Sequence, residues 1–283
     1  MSSSTDERHP ISATANTAGG DALSARFRTA GLDWIVPHWS APPSVHAFFT
    51  TRNGGASIGR STSLDLGGGE LTAIAAHSDS SLAENRRRVQ AFLPSTPLWL
   101  EQVHGTDVAD VDLTGATNAD RRPRADAAVT RRARVVLSVR VADCLPVLLS
   151  DREGSIVAAA HAGWRGLCAG ILENTVATMG RPAADLVAWL GPAIGQRAFE
   201  VGSEVRDAFC SSDAADADAF IPGAPGKWHA DLALLARRRL ARMGFTDVTT
   251  DGHCTWSEPQ RFFSFRRDGT HGRMAAFIWR DGP

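Results

Sequence analysis

Two histidines and a cysteine stand beside apolar runs in three short segments: Gln102-Val103-His104-Gly105, Ala142-Asp143-Cys144-Leu145-Pro146 and His161-Ala162-Gly163-Trp164-Arg165-Gly166. Two imidazoles and a thiolate are a donor set suited to zinc, with a fourth position left for water or substrate. A purely structural zinc site normally closes with a fourth side chain. The pattern points to a metal-dependent enzyme with His104, Cys144 and His161 as ligands. Each residue alone has an ordinary alternative, since a lone cysteine is usually buried core and a lone histidine is usually just hydrogen-bonded. The trio carries the reading because all three sit near strand ends, where rigid strands fix geometry and loops converge on a cleft.

Zinc with one thiolate and two neutral imidazoles keeps a net positive charge, which attracts an anion or acidifies a bound water. A thiolate donates more charge than an imidazole, so such a zinc is a milder Lewis acid than one held by three histidines. Arg165 sits where a helix after His161 would start, and a helix N-terminus offers free N–H groups to an oxyanion. Gly163 and Gly166 allow close approach there; the alternative for Arg165 is a solvated or packing arginine. Arg52-Asn53-Gly54-Gly55 is a second candidate anion site, one guanidinium beside a loop that can aim N–H groups inward. Asn-Gly is also a common hairpin turn. Asp143 is placed either to orient a ligand or to move protons. Cys168 falls on an apolar helical stripe and Cys210 follows Val205 and Phe209, so both read as core, and Cys254 has no feature that prefers site over packing.

The bulk properties narrow the class. In 283 residues, 30 basic side chains balance 31 acidic ones, which leaves no global field to draw the chain to nucleic acid or membrane. Lys227 is the only lysine and there is no tyrosine, so the arginines are numerous enough that one without a motif deserves little weight. Four scattered cysteines argue against a disulfide framework and for a reducing compartment. No stretch approaches the roughly 20 apolar residues of a membrane span. Residues 1–26 are rich in Ser, Thr, Ala and Gly without an apolar stretch, and read as a disordered tail rather than a signal peptide. A cytoplasmic address follows.

Order is expected to start near Phe27, with short strands at Trp34-Ile35-Val36 and Val45 to Thr50. Glycine-rich chain from Gly67 to Gly69 leads to a helix over about Ser81 to Phe92, with Leu82, Val89 and Phe92 on one face and Glu84 to Arg88 mostly off it. Val135 to Val141 is a buried strand delivering Cys144, Val147 to Asp151 the next, and Ser155 to Ala160 a third that ends at His161. A helix is expected from Gly163 to Gly180, with Cys168, Leu172, Val176 and Met179 stacked. Then come a strand over Val187 to Leu190, a helix near Val201 to Phe209, and an Asp/Ala-rich loop over Ser211 to Ala219. A helix over Asp231 to Met243 is capped by Asp231, and strands at Phe262 to Phe265 and Met274 to Trp279 close the chain. The fold class is α+β: one mixed α/β domain over residues 27–283, with two sheets or one large curled one.

At these segments the chain resembles the YfiH family, also called the laccase-domain, polyphenol oxidase or peptidoglycan-editing-factor family. The matching stretches are Thr50-Thr51-Arg52-Asn53-Gly54-Gly55, Gln102 to Gly105, Ala142 to Val147, His161 to Gly166, Gly191-Pro192-Ala193-Ile194-Gly195, and Phe262 to Asp268. The resemblance implies a mixed α/β sandwich and zinc ligands at His104, Cys144 and His161. It implies a purine nucleoside phosphorylase that also deaminates adenosine and phosphorolyses methylthioadenosine. Two departures stand out: Phe265 where a tyrosine is common, and Asp65 where an asparagine is common.

Together these imply nucleoside and phosphate as small-molecule partners of a monomer or homodimer, with phosphate held by Arg52 and Arg165. Asn53 and Gly163 are the further binding candidates and Asp143 the weak candidate for proton transfer. The rival readings are a metal-free hydrolase with Cys144 as nucleophile and His161 as base, a copper-dependent phenol oxidase, and a non-enzymatic editing partner in cell-wall synthesis.

Overall fold

The computed structural model describes residues 17–67, 80–114, 122–269 and 272–282. The start of the expected tail and Gly68 and Gly69 of the glycine-rich stretch lie outside the described residues. Twelve strands are found among the described residues: β1 (Val45–Phe49), β2 (Val108–Asp110), β3 (Ala127–Thr130), β4 (Leu137–Val141), β5 (Leu145–Asp151), β6 (Val157–Ala162), β7 (Leu186–Leu190), β8 (Glu200–Gly202), β9 (Phe220–Pro222), β10 (Lys227–Ala230), β11 (Val248–Thr250) and β12 (Met274–Arg280). The helices are α1 (Thr17–Thr29), α2 (Ser80–Gln90), α3 (Val111–Thr114), α4 (Trp164–Ala169), α5 (Ile171–Met179), α6 (Ser203–Ser212), α7 (Leu232–Met243) and α8 (Phe265–Asp268).

Six strands form a mixed sheet in the order β11-β7-β5-β6-β3-β2, and β1-β12-β4 form an antiparallel second sheet. A small sheet, β8-β10-β9, stands apart from both. The uninterrupted apolar runs of β5, β6 and β7 arise because both faces of the large sheet are covered. Side chains alternate across a strand, so Leu145, Val147 and Leu149 of β5 face the helical layer with Leu167, Ile171, Leu172, Leu235 and Leu240. Leu148 of β5, Ala159 of β6 and Trp189 of β7 face the other way, against Phe49, Val139, Met274 and Ile278 of the second sheet. The far face of that sheet carries Phe48, Phe277 and Trp279 into a third cluster, closed by Leu23 and Phe27 of α1 and Val89 of α2. The result is an α+β sandwich: helices, a six-stranded sheet, a three-stranded sheet and helices again.

The structure departs from the sequence-based expectations in several places. The expected strand at Trp34-Ile35-Val36 is reduced to an isolated bridge from Ile35 to Phe49, and the expected loop over Ser211 to Ala219 contains a short 3-10 helix, Ala214–Ala219. Among the described residues helical order is already present at Thr17, ahead of the expected start near Phe27, because the apolar side of α1 has an aromatic cluster to cover. The expected helix from Gly163 to Gly180 is broken at Gly170, whose φ of 104° ends α4 and starts α5; glycine meets that backbone at little cost. Phe262 to Phe265 is not a strand. Phe262 and Phe263 are core, whereas Ser264 caps α8 by accepting from the Arg267 N–H and leaves Phe265 outside. The expected Val201 to Phe209 helix is split between β8 and α6, while Asp231 caps α7 as expected by accepting from the Leu234 N–H at 2.9 Å.

Asn85 shows what periodicity alone misses. It was placed off the apolar face of α2 yet is fully buried, because its amide satisfies the loop beneath. Oδ1 accepts from the Ala56 N–H at 2.7 Å, and Nδ2 donates to Ser57 Oγ, Ser63 O and Asp65 O at 2.9, 3.1 and 2.8 Å. Replacing Asn85 with alanine strands several buried polar groups, each worth about 1–3 kcal/mol. Asn85→Ala is therefore expected to lower unfolding stability by roughly 2–4 kcal/mol, read as the shift of the denaturant midpoint at constant slope.

Candidate metal centre

Asp126 organises the site, although no motif marks it in the sequence. It lies just before β3, with no exposed surface, where β3 pairs with β6 so that Ala127 faces Ala160. Its carbonyl accepts the His161 N–H at 2.7 Å, and its carboxylate accepts His161 Nδ1 at 2.8 Å. The same carboxylate takes the consecutive N–H groups of Val103, His104 and Gly105 at 3.1, 2.9 and 2.7 Å. Successive N–H groups can converge like this when one residue is left-handed, and His104 has φ 59°. One buried carboxylate thus fixes the backbone of one histidine and the ring of the other. Burial would raise its pKa, but His161 and the N–H donors outweigh burial and hold it below the ordinary carboxylate value.

The three expected ligands do converge. The donor atoms of His104, Cys144 and His161 lie within 4.8 Å of one another. Cys144 Sγ is 3.7 Å from His104 Nε2, and the two imidazole rings are 4.8 Å apart at 70°. Among the described residues this is the one group of three or more His, Cys, Asp or Glu side chains arranged to hold a metal ion. His104 is exposed, Cys144 half-buried and His161 buried, so the centre opens on one side. With Nδ1 of His161 engaged by Asp126, Nε2 is left as the donor, the carboxylate–histidine pairing that orients metal-binding imidazoles. Burial opposes the Cys144 thiolate, yet the neighbouring His161 charge and contacts with His104 and His161 bring its pKa down to about 6. Burial likewise opposes charge on His161, but the Cys144 thiolate and Asp126 raise it to about 9. A ready thiolate beside two imidazoles fits a zinc or copper ion.

The glycines of the His161 segment serve close packing. A Cβ on Gly163 would meet His104 Cδ2 at 2.9 Å and Cys144 Sγ at 3.0 Å. A Cβ on Gly166 would meet the Gly105 carbonyl oxygen at 2.7 Å. Gly163 therefore touches the ligands directly, and Gly166 lets α4 lie against the His104 loop.

The other expected site residues are differently engaged. The Asp143 carboxylate accepts Thr255 Oγ1 at 2.6 Å, Ser264 Oγ at 3.0 Å and the Arg266 N–H at 2.7 Å. With these bonds Asp143 ties α8 to the bend that presents Cys144. Arg52 donates from Nε to Thr62 O and from Nη1 to Pro259 O, both at 2.9 Å, and lies 4.6 Å from the Phe263 ring centre. Burial lowers its pKa. Asn53 donates from Nδ2 to Asp33 Oδ2 and Gln260 O at 3.1 and 3.0 Å. Both thus join loops. Arg165 is exposed over the neighbouring Trp164 ring, at 4.6 Å. Cys168 packs against the helical core as expected, while Cys254 Sγ accepts the Gly195 N–H at 3.2 Å. All four cysteines are free thiols, as their scatter led us to expect.

The family model described as multi-copper polyphenol oxidoreductase laccase matches residues 46–281. The chain belongs to this family, the YfiH family. One YfiH-family relative, from Pseudomonas aeruginosa and named purine nucleoside phosphorylase PA4543, is 48% identical over 250 residues, covering 87% of this chain and 98% of its own length. Another, purine nucleoside phosphorylase YfiH of Escherichia coli (strain K12), is 50% identical over 247 residues, with the same two coverages. The crystal structure of Neisseria meningitidis protein NMB0706 superimposes with a TM-score of 0.81 at 44% identity, covering 88% of this chain and all of that one. The mixed α/β sandwich of the YfiH family is thus the fold found here.

Two tests follow from the Asp126 geometry. Asp126→Asn keeps the shape but presents an N–H₂ group to some of the donors, and is expected to weaken zinc binding by ~10–100-fold in chelator competition. At about pH 7.5, between the two shifted values, Cys144 is already a thiolate while His161 is still protonated. Zinc uptake is therefore expected to release about one proton per chain, from His161, measured by calorimetry in buffers of different ionisation enthalpy.

Proposed function

We propose that the chain is a metal-dependent purine nucleoside phosphorylase, acting on adenosine, inosine and methylthioadenosine with phosphate, with adenosine deamination as a side activity. The observation that carries this is the open two-histidine, one-cysteine centre, in a chain alike over nearly the whole length of relatives named purine nucleoside phosphorylase. In phosphorolysis the N-glycosidic bond breaks, the purine leaves with the bonding electrons and a proton, and a phosphate oxygen bonds to ribose C1′. Positive charge grows on the sugar, so a phosphate dianion held against it both stabilises and captures it.

His104, Cys144 and His161 would hold a zinc ion, which when bound would supply Lewis-acid chemistry. The chain's own part is positional. Asp126 holds the His161 ring and the His104 backbone. Asp143 holds α8, so that the ring of Phe265, 54% exposed, stands in solvent a short way along from Ser264; a flat aromatic face suits a purine. Deamination requires water attack on C6 and a proton shuttle. Asp126 and Asp143 are both occupied by donors, which is why we place deamination second. Four free thiols fit a reducing, cytoplasmic address, and among the described residues no helix is long and apolar enough to cross a membrane.

One observation favours a second reading: the lowered Cys144 thiol beside His161 is also the arrangement of a cysteine nucleophile with its base. Alkylation separates the two, since a ligated thiolate is protected by zinc and exposed by chelator. Metal analysis of the purified protein decides between zinc and copper.

The expected result is phosphate-dependent release of purine and ribose 1-phosphate from metal-replete protein, reduced at least ~100-fold in His104→Ala. Turnover indifferent to phosphate, or intact in the variant, would overturn the proposal.

A further inference from the structure

Three arginines, Arg86, Arg140 and Arg273, crowd one turn beside the metal centre and are distinct from Arg52 and Arg165. The turn is Asp65 to Gly67. Arg86 of α2 donates from Nη2 to Leu66 O at 3.3 Å. Arg140 of β4 donates from Nη1 to Gly67 O at 3.0 Å and from Nη2 to Leu100 O at 2.8 Å. The N–H groups of Arg273 and Gly67 share Asp65 Oδ1, at 3.0 and 2.8 Å, and the Leu66 N–H returns to Arg273 O at 3.0 Å. The guanidiniums of Arg86 and Arg140 lie against one indole, 5.2 and 5.6 Å from the Trp99 ring centre. Gly67, at φ 73°, keeps the turn narrow, and a Cβ there would come within 3.4 Å of Arg86 Nη2.

This arrangement is costly without a ligand. Arg140 is only 9% exposed, and its Nε and that of Arg86 are buried without a hydrogen-bond partner among the described residues. Burial brings the Arg140 pKa down to about 9, and Arg122, Arg86 and Arg273 push it in the same direction, with Asp65 as the opposing charge. Arg86 is lowered by burial and by Arg122. Among the described residues Asp65 is the carboxylate these groups face in common. Buried like charges repel strongly and are stabilised by an anion placed between them.

The cluster also adjoins the trio. Burial lowers the pKa of Arg273, while the Cys144, Asp65 and Asp143 charges raise it. Its Cζ is 6.0 Å from the exposed Phe265 ring. The Arg140 backbone pairs with the side chain of Gln102, two residues before His104, through bonds of 2.8 and 2.9 Å.

From this juxtaposition we infer that Arg86, Arg140 and Arg273, gathered over the Asp65–Gly67 turn, form an anion subsite for inorganic phosphate beside Cys144. The identity of the anion rests on the phosphorolysis reading; the existence of the site does not. Arg122, exposed at the rim, adds to the field that draws phosphate in.

Because Arg140 supports two carbonyl oxygens, its removal threatens folding, so the test uses Arg86→Gln and Arg273→Gln. Thermal unfolding of each zinc-loaded protein is measured in inorganic phosphate and in chloride at matched ionic strength. Phosphate is expected to raise the melting temperature of the wild type and to do so weakly or not at all in both variants. In turnover assays the phosphate KM is expected to rise about tenfold or more, with zinc content unchanged and nucleoside KM within about twofold. Equal protection by phosphate in all three proteins, or none in the wild type, overturns the inference. Phosphate-dependent wild-type turnover with an unchanged phosphate KM in both variants overturns it while leaving the phosphorylase reading intact. Selective protection by phosphate alongside phosphate-independent turnover supports the subsite and overturns that reading instead.

Discussion

The geometry of the centre depends on one buried carboxylate. Asp126 has two oxygens and receives four donors through them, three from consecutive backbone N–H groups and one from an imidazole. A carboxylate in that position cannot relax toward solvent, and neither can the groups that it holds. The left-handed backbone at His104 is sustained by the same bonds; elsewhere a non-glycine residue adopts it at a cost of order 1–3 kcal/mol. Strand pairing supplies the rest of the rigidity, since β6 lies between β3 and β5 and His161 sits within it.

Around this anchor the chain distributes charge unevenly. Asp126 and Asp143 are occupied by backbone and side-chain donors. Arg140 is buried beside Arg86 and Arg273, and both push its pKa down. A positive surround beside a thiolate-containing centre suits the approach of an anion. Arg52, by contrast, donates to Thr62 O and Pro259 O and so ties two loops together.

The ligand trio was legible in sequence because its residue types announce their chemistry even when far apart in the chain. The sandwich was legible because β5, β6 and β7 are apolar on both faces. Asp126 was not legible: an acid before a buried strand is common, and its meaning comes from cross-strand pairing with His161. The charged residue inside Val-Leu-Ser-Val-Arg-Val was a usable signal for Arg140, masked by the abundance of arginine. The position of Asp143 beside Cys144 says nothing of where its carboxylate points, and its three donors come from residues more than a hundred positions away. The break at Gly170 was hidden for a different reason, since Cys168, Leu172 and Val176 keep facing the same core on either side of it. The aromatic run ending at Phe265 reads as a strand by composition, and only Ser264 as a cap shows otherwise.

The placement of His161 inside β6, opposite Pro146 of β5, ties metal capture to correct strand alignment. Successive side chains project to opposite sides of a pleated sheet, so a shift of a single residue would turn the imidazole to the wrong side. A misaligned sheet would then be unable to load its ion, and loading would favour the properly aligned form in proportion to how tightly the ion binds. The ion would in this way act as a proofreader of assembly as well as a participant in chemistry.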